Sequence, residues 1–217
     1  MTVTGDDDPR RPDPDARNVL EAGCDRCPAL VESRTRISWG NGPLDADVVV
    51  VGEAPGAGDP DAEAWRGGNH SGLAYTARHS GRRIRETMAA VGYGDRTYYT
   101  NAVKCFPADE SGASNREPTS EELATCRTHL LAELEQVEPA VVVATGKHAT
   151  ASLLTVEGES VDGFVDSVLD PVDCRTLGRP VLPLLHPSYR DVWLARLGYD
   201  LDEYRAELGA TLDRLVG

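Results

Sequence analysis

Asp47-Val48-Val49-Val50-Val51-Gly52-Glu53-Ala54-Pro55-Gly56 decides how this chain is read. Its consecutive valines are β-branched. A continuous apolar run of this kind suits a strand buried on both faces, as in a parallel sheet. Gly52 and Gly56 allow a sharp turn and a close approach of the backbone to another group. Glu53 stands just past the carboxyl end of the strand, the edge at which open α/β sheets bind ligands. Taken alone, the stretch fits two readings: the wall of a ligand site, or an ordinary exit from strand to loop with Glu53 in solvent.

Further strand-like segments follow at residues 96–103, ending near Asn101, at 139–144 and at 180–185. The last runs straight into His186-Pro187-Ser188-Tyr189-Arg190. Helical patterns lie between and after them, at 81–91, 119–137, 146–154 and 200–216. Thr119-x-x-Glu122 opens one of these as a capping box. Leu201, Tyr204, Leu208, Leu212 and Leu215 give another its amphipathic face. Strands alternating with helices predict an α/β fold with a parallel sheet covered on both sides. Upstream, residues 18–33 read as a helix with Cys24 and Cys27 one turn apart, and 34–42 as a basic, strand-like piece. Residues 59–80 show no periodicity, and a loop of that length is usually functional. Residues 155–179 alternate acidic turns with short apolar pieces. There is no internal repeat, G-x-G-x-x-G or Walker A motif.

A chain of 217 residues suits one domain, placed at 18–217. The preceding acidic arm, 1–17, is proline-rich and nearly without apolar residues, so it is expected to be disordered. No apolar run approaches membrane-span length and the start lacks a signal-peptide core. The expectation is a cytoplasmic protein with no membrane partner. The net charge is −14, and residues 1–17 supply only −2 of it. Lys104 and Lys147 are the only lysines. Acid-rich, lysine-poor surfaces resemble halophilic proteins of a very salty cytoplasm, where a short Debye length reduces self-repulsion. Acidity therefore does not exclude nucleic acid, since a local basic patch acts within that range. Arg78, Arg82, Arg83 and Arg85, with His79, are such a patch, or else a solvated helix face.

Cys24 and Cys27 form a C-x-x-C, Cys105 follows the second strand, and Cys126 lies in the capped helix. In an intracellular chain this points to metal or redox chemistry. Four thiolates can close a site for an iron–sulfur cluster or a structural zinc; the alternative is unlinked core cysteines. Cys174 is left over, as a small buried or semi-exposed residue. Strand ends of a parallel sheet share one edge, so Glu53, Asn101 and His186 are expected to converge there. Tyr75, in the long loop, is the accompanying aromatic. Each has a plainer explanation alone: a turn residue, a cap, a surface ring.

Gly52-Glu53-Ala54-Pro55-Gly56, Thr100-Asn101-Ala102-Val103-Lys104-Cys105-x-Pro107, Asn115-Arg116-x-Pro118 and His186-Pro187-Ser188-Tyr189 occur in that order with the four cysteines. The combination resembles the iron–sulfur (family 4) uracil-DNA glycosylases. The resemblance implies a three-layer α/β/α fold with a central four-stranded parallel sheet. It also implies a [4Fe–4S] cluster on Cys24, Cys27, Cys105 and Cys126, and DNA as partner of a monomer. It further implies hydrolysis of the N-glycosidic bond of a flipped-out uracil, with no lyase step. Asn101 matches the base-reading asparagine, whose amide can meet uracil N3–H and O4 together. His186 matches the donor to uracil O2, and Glu53 the carboxylate that orients water or offsets oxocarbenium charge. Asp59 falls where a second carboxylate often stands. The turn with Ala54 becomes the pocket floor, and Ser188 and Tyr189 belong to the loop that presses into the minor groove. The chain departs from the family's Gly-x-Pro-Phe-x-Gly, having Gly72-Leu73-Ala74-Tyr75-Thr76-Ala77. Tyr75 retains a ring that stacks.

Overall fold

The computed structural model describes residue 8, residues 10–158, residue 161 and residues 163–217. Val48–Gly52 forms the strand expected of the valine run (β3), and its valines are fully buried. Successive side chains of a strand point to opposite faces. Val48 and Val50 accordingly enter one hydrophobic core, Val49 and Val51 the other. The run is apolar throughout because neither face meets water.

In chain order the strands are β1 (Arg17–Asn18), β2 (Gly40–Asn41), β3, β4 (Thr97–Asn101), β5 (Val141–Thr145), β6 (Val172–Cys174) and β7 (Arg179–Leu184). The helices are α1 (Pro28–Ser33), α2 (Gly68–Ser71), α3 (Gly81–Ala90), α4 (Ser120–Val137), α5 (Lys147–Leu154), α6 (Arg190–Leu197) and α7 (Leu201–Val216). The sheet runs β1-β2-β4-β3-β5-β7-β6. Its centre, β4-β3-β5-β7, is the expected four-stranded parallel sheet, in register through Val50↔Tyr99, Val49↔Val142 and Val143↔Leu182. Among the described residues the full sheet is wider, with seven strands, because short antiparallel strands pair onto both outer edges. Such short pieces cover backbone groups that would otherwise be open to another chain. Helices α3, α6 and α7 cover the Val48 face through Met88, Leu194, Leu208 and Leu212. Helices α4 and α5 cover the other face through Leu130, Leu134 and Leu153. Three layers result.

The helix expected over 18–33 is shorter. Arg17–Asn18 is strand, and helix begins only at Pro28. Proline fits the first turn of a helix but not its interior. Cys27 is the extended residue before it, so Cys24 and Cys27 belong to a turn-rich loop, not one helical face. Residues 1–7 and 9 of the acidic arm lie outside the described residues. The rest of the arm is tied down: Arg10 pairs with Asp8 and with Glu86 of α3, at 2.6 and 2.5 Å. The capping box on α4 is present in both directions. No described helix is long and apolar enough to cross a membrane.

Candidate functional site

The carboxyl ends of β3, β4, β5 and β7 open on one cleft of about 780 Å³. Glu53, Ala54, Tyr75, Asn101, His186 and Ser188 all line it. The shared edge of the strand ends thus brings together residues from distant parts of the chain. Asp59 is not among them. It lines a neighbouring hollow with Trp65 and Arg78, and its carboxylate caps the Asp61 N–H at 3.0 Å. The reason is local: the Asp59 N–H donates to the Arg66 carbonyl (2.9 Å), which turns the loop away from the strand ends.

The turn after β3 is fixed from below. Ala102 N–H donates to the Gly52 carbonyl (2.7 Å) and Val103 N–H to the Glu53 carbonyl (2.9 Å), so the exits of β3 and β4 are laced together. Asn115 staples the same turn from the side. Its amide donates to the Pro55 carbonyl (3.0 Å) and accepts from Ala57 N–H (3.2 Å). A Cβ at Gly52 would stand 2.5 Å from Asn101 Oδ1 and 2.7 Å from the Tyr75 hydroxyl. Only glycine lets those two groups meet beside the backbone.

Tyr75 has φ of 53°, a left-handed conformation that a bulky residue holds only when its surroundings impose it. The neighbours here do so. The Arg85 Nε donates to the Tyr75 carbonyl at 3.1 Å, and its Nη2 to Asn41 Oδ1 at 2.6 Å. The guanidinium lies 3.9 Å over the Tyr99 ring, which packs edge-on to Tyr75. Burial pulls the Arg85 pKa down to about 10. Gly81, at the head of α3, permits the approach, because a Cβ there would come 2.2 Å from the Tyr75 carbonyl oxygen. The Tyr75 hydroxyl pairs with Thr145 at the end of β5, at 2.5 Å.

His186 follows β7. The Ser188 N–H points at its Nδ1 (3.2 Å), so the neutral ring carries its proton on Nε2. Burial lowers its pKa, helped by nearby His148, which favours that neutral form. Burial raises the pKa of Glu53; His148 opposes the shift and Glu117 adds to it. His148 and Glu117 pair with each other at 3.2 Å. Thr145, His148 and Asn115 are site residues that the sequence argument passed over. Thr145 carried a usable signal, since it ends a parallel strand at the same edge. Asn115 lay in a quoted motif without a role. Nothing in the sequence marked His148.

A second, smaller pocket is lined by Cys24, Cys27, Cys105 and Cys126, with Arg34, Lys104 and His129. The Arg34 Nη1 donates to Cys105 Sγ and the Lys104 backbone N–H to Cys126 Sγ, each at 3.2 Å. Burial pushes the thiol of Cys126 up to about 11 and those of Cys27 and Cys105 upward. N–H donors aimed at two sulfurs are what anionic, metal-bound thiolates need, so the donor set fits a thiolate-bound metal group. Cys174 lies apart, in the core between the sheet and α4/α5. His129, one turn after Cys126, was not marked by the sequence. One of its ring nitrogens lies within 4.8 Å of Cys24 Sγ and a Glu21 oxygen.

An α/β/α domain with a ring, a carboxamide, an imidazole N–H and a carboxylate around one cleft defines a protein that can enclose a flat, hydrogen-bonding molecule. The family model of the Uracil DNA glycosylase superfamily matches residues 39–208. A type-4 uracil-DNA glycosylase of Thermotoga maritima is 36% identical over 168 residues, 76% of this chain and 77% of its own length. A type-5 uracil-DNA glycosylase of Pyrobaculum aerophilum is 30% identical over 80% of this chain and 82% of its own. A type-4 enzyme of Archaeoglobus fulgidus is 34% identical over 58% and 56%. The chain belongs to the uracil-DNA glycosylase superfamily, as its motif order implied.

Proposed function

We propose that this protein hydrolyses the N-glycosidic bond of uracil in DNA, taking the base into the cleft between Tyr75 and Asn101. The carrying observation is that His186, from the end of β7, and Asn101, from the end of β4, line one cleft. Extrusion of the nucleotide is required because the bond is out of reach within a duplex. Asn101 sits at the close of β4, and its carboxamide meets the N3–H and O4 edge. Cytosine offers the opposite pattern there, which would leave buried polar groups unpaired. The Nε2–H of His186 donates to O2 as negative charge develops on the departing base. Glu53, as a carboxylate, orients water toward C1′ or offsets positive charge on the sugar. Tyr75 supplies the stacking ring and Ala54 part of the floor. Ser188 holds the imidazole through its N–H. Its neighbour Tyr189 is exposed at the rim, in the loop assigned to the groove. Water is the nucleophile, so no lyase step follows.

Cys24, Cys27, Cys105 and Cys126 would hold a [4Fe–4S] cluster. Bound there, it supplies cross-linking between the loop before α1, the segment after β4 and helix α4. Support comes from the shared pocket and the N–H donors on two sulfurs. The acidic, lysine-poor composition recommends assay in molar salt. The test is incubation with a uracil-containing oligonucleotide, alkaline cleavage at abasic sites, and separation of products. Uracil release matched by abasic sites is expected. Intact DNA from protein that is brown and iron-loaded would refute the reading, and a colourless, zinc-loaded protein would refute the cluster.

A further inference from the structure

Lys104 and Glu133 are both fully buried, at 1% and 0% side-chain exposure, and the base-reading scheme uses neither. The ammonium of Lys104 donates three bonds of 2.6 Å, to Glu133 Oε2, to Thr100 Oγ1 and to the carbonyl of Asn101. That saturates a lysine, which has three donors. Glu133 is as fully engaged. Its Oε1 accepts from Gly40 N–H and the Tyr98 hydroxyl, each at 3.1 Å, and its Oε2 also accepts from Thr100 at 2.6 Å. The backbone N–H of the same lysine donates to Cys126 Sγ at 3.2 Å.

We infer that Lys104 is a positioning residue that joins the cysteine site to the base-reading Asn101, so that loss of the metal group loosens base recognition through this one side chain. The reading rests on the function proposed above. Cys126 and Glu133 lie on the same helix, α4, two turns apart and on the same face. A shift of that helix when the cysteines lose their ligand therefore moves Glu133 too. Glu133 carries the Lys104 ammonium with it, and the ammonium holds the Asn101 carbonyl. Well-packed apolar side chains would stabilise such a core as well or better. A buried pair kept between two sites is better explained by holding a geometry.

The experiment is a cycle of cluster loading against the Lys104→Met/Glu133→Gln variant, which leaves no lone buried charge. The readout is the ratio of affinities for DNA carrying non-hydrolysable 2′-fluoro-2′-deoxyuridine and for the same DNA with cytosine there. In the iron-loaded natural protein the ratio is high, and stripping with a chelator and mild oxidant lowers it at least tenfold. The variant, with its iron content and absorbance near 400 nm retained, shows the lowered ratio already. Stripping it changes the ratio less than twofold, the non-additivity expected of coupled groups. An unchanged ratio in the loaded variant, or the same further loss on stripping in both proteins, overturns the inference. No uracil preference in the loaded natural protein instead overturns the proposed function. Should the variant not fold, hydrogen exchange on the natural protein decides. Stripping should deprotect Asn101 to Cys105 and spare β5, whereas loss spread evenly over the sheet overturns the link.

Discussion

The two polar clusters at the end of β4 have opposite characters. Around Lys104 and Glu133 every side-chain donor and acceptor has a partner within the protein, and both side chains are fully buried. Three residues earlier in the chain, the Asn101 carboxamide is nearly buried yet receives no hydrogen bond among the described residues, and the Glu53 carboxylate is likewise without one. Buried polar groups are normally paired. One cluster meets that rule within the protein. The other does not among the described residues, and it faces the open cleft. Groups of the first kind hold the fold; groups of the second are the ones the proposed function uses.

This contrast can be broken from either side. Lys104→Met alone strands the Glu133 carboxylate and should destabilise the protein by about 3–5 kcal/mol, read by denaturant unfolding. A stability within 1 kcal/mol of the natural protein would mean the saturated cluster does not behave as one. His186→Ala should leave stability nearly unchanged and lower kcat/KM by about 10²–10³, the typical effect of removing a preorganised donor. Glu53→Gln should cost roughly 10²-fold in kcat and flatten the acid limb of the pH profile. The sign follows from the shifts. Burial raises Glu53, so activity falls as pH drops through a pKa above the ordinary carboxylate value. Burial lowers His186, so that ring stays neutral further down and does not set the limb. An acid limb that survives in Glu53→Gln assigns it to another group. Asn101→Ala should lower uracil affinity by about 1–3 kcal/mol, with melting temperature unmoved. Thr119→Ala should remove about 1 kcal/mol of stability through the lost α4 cap, read by denaturant unfolding.

The central parallel sheet was readable because β3, β5 and the later part of β7 are apolar runs and β4 is built of β-branched and aromatic residues, patterns that survive without knowing any neighbour. Helix α4 was readable from Thr119 and Glu122, since a cap is a local device. The stretch before Pro28 misled, because Val19, Leu20, Leu30 and Val31 carry helical spacing across a proline that stops the helix. Edge strands β1 and β6 were invisible at two to three residues each, as pairing rather than side-chain pattern defines them, while β2 is a two-residue remnant at the end of the 34–42 piece read as strand-like. Helix α6 was missed behind the His186 segment. Asp59 was misplaced because a loop's path depends on its backbone bonds, here to Arg66, and those leave no mark in residue type.

By itself the sequence determined the layer order, the strand-end placement of Glu53, Asn101 and His186, and the set of four cysteines. Period, breaking residues and a sheet's shared edge are enough for that. Only the tertiary structure decided which carboxylate faces the cleft, which ring nitrogen of His186 carries the proton, and that Lys104 touches both Asn101 and the cysteine pocket. Those depend on side chains from separate elements meeting at hydrogen-bond distance, and no local pattern encodes such a meeting.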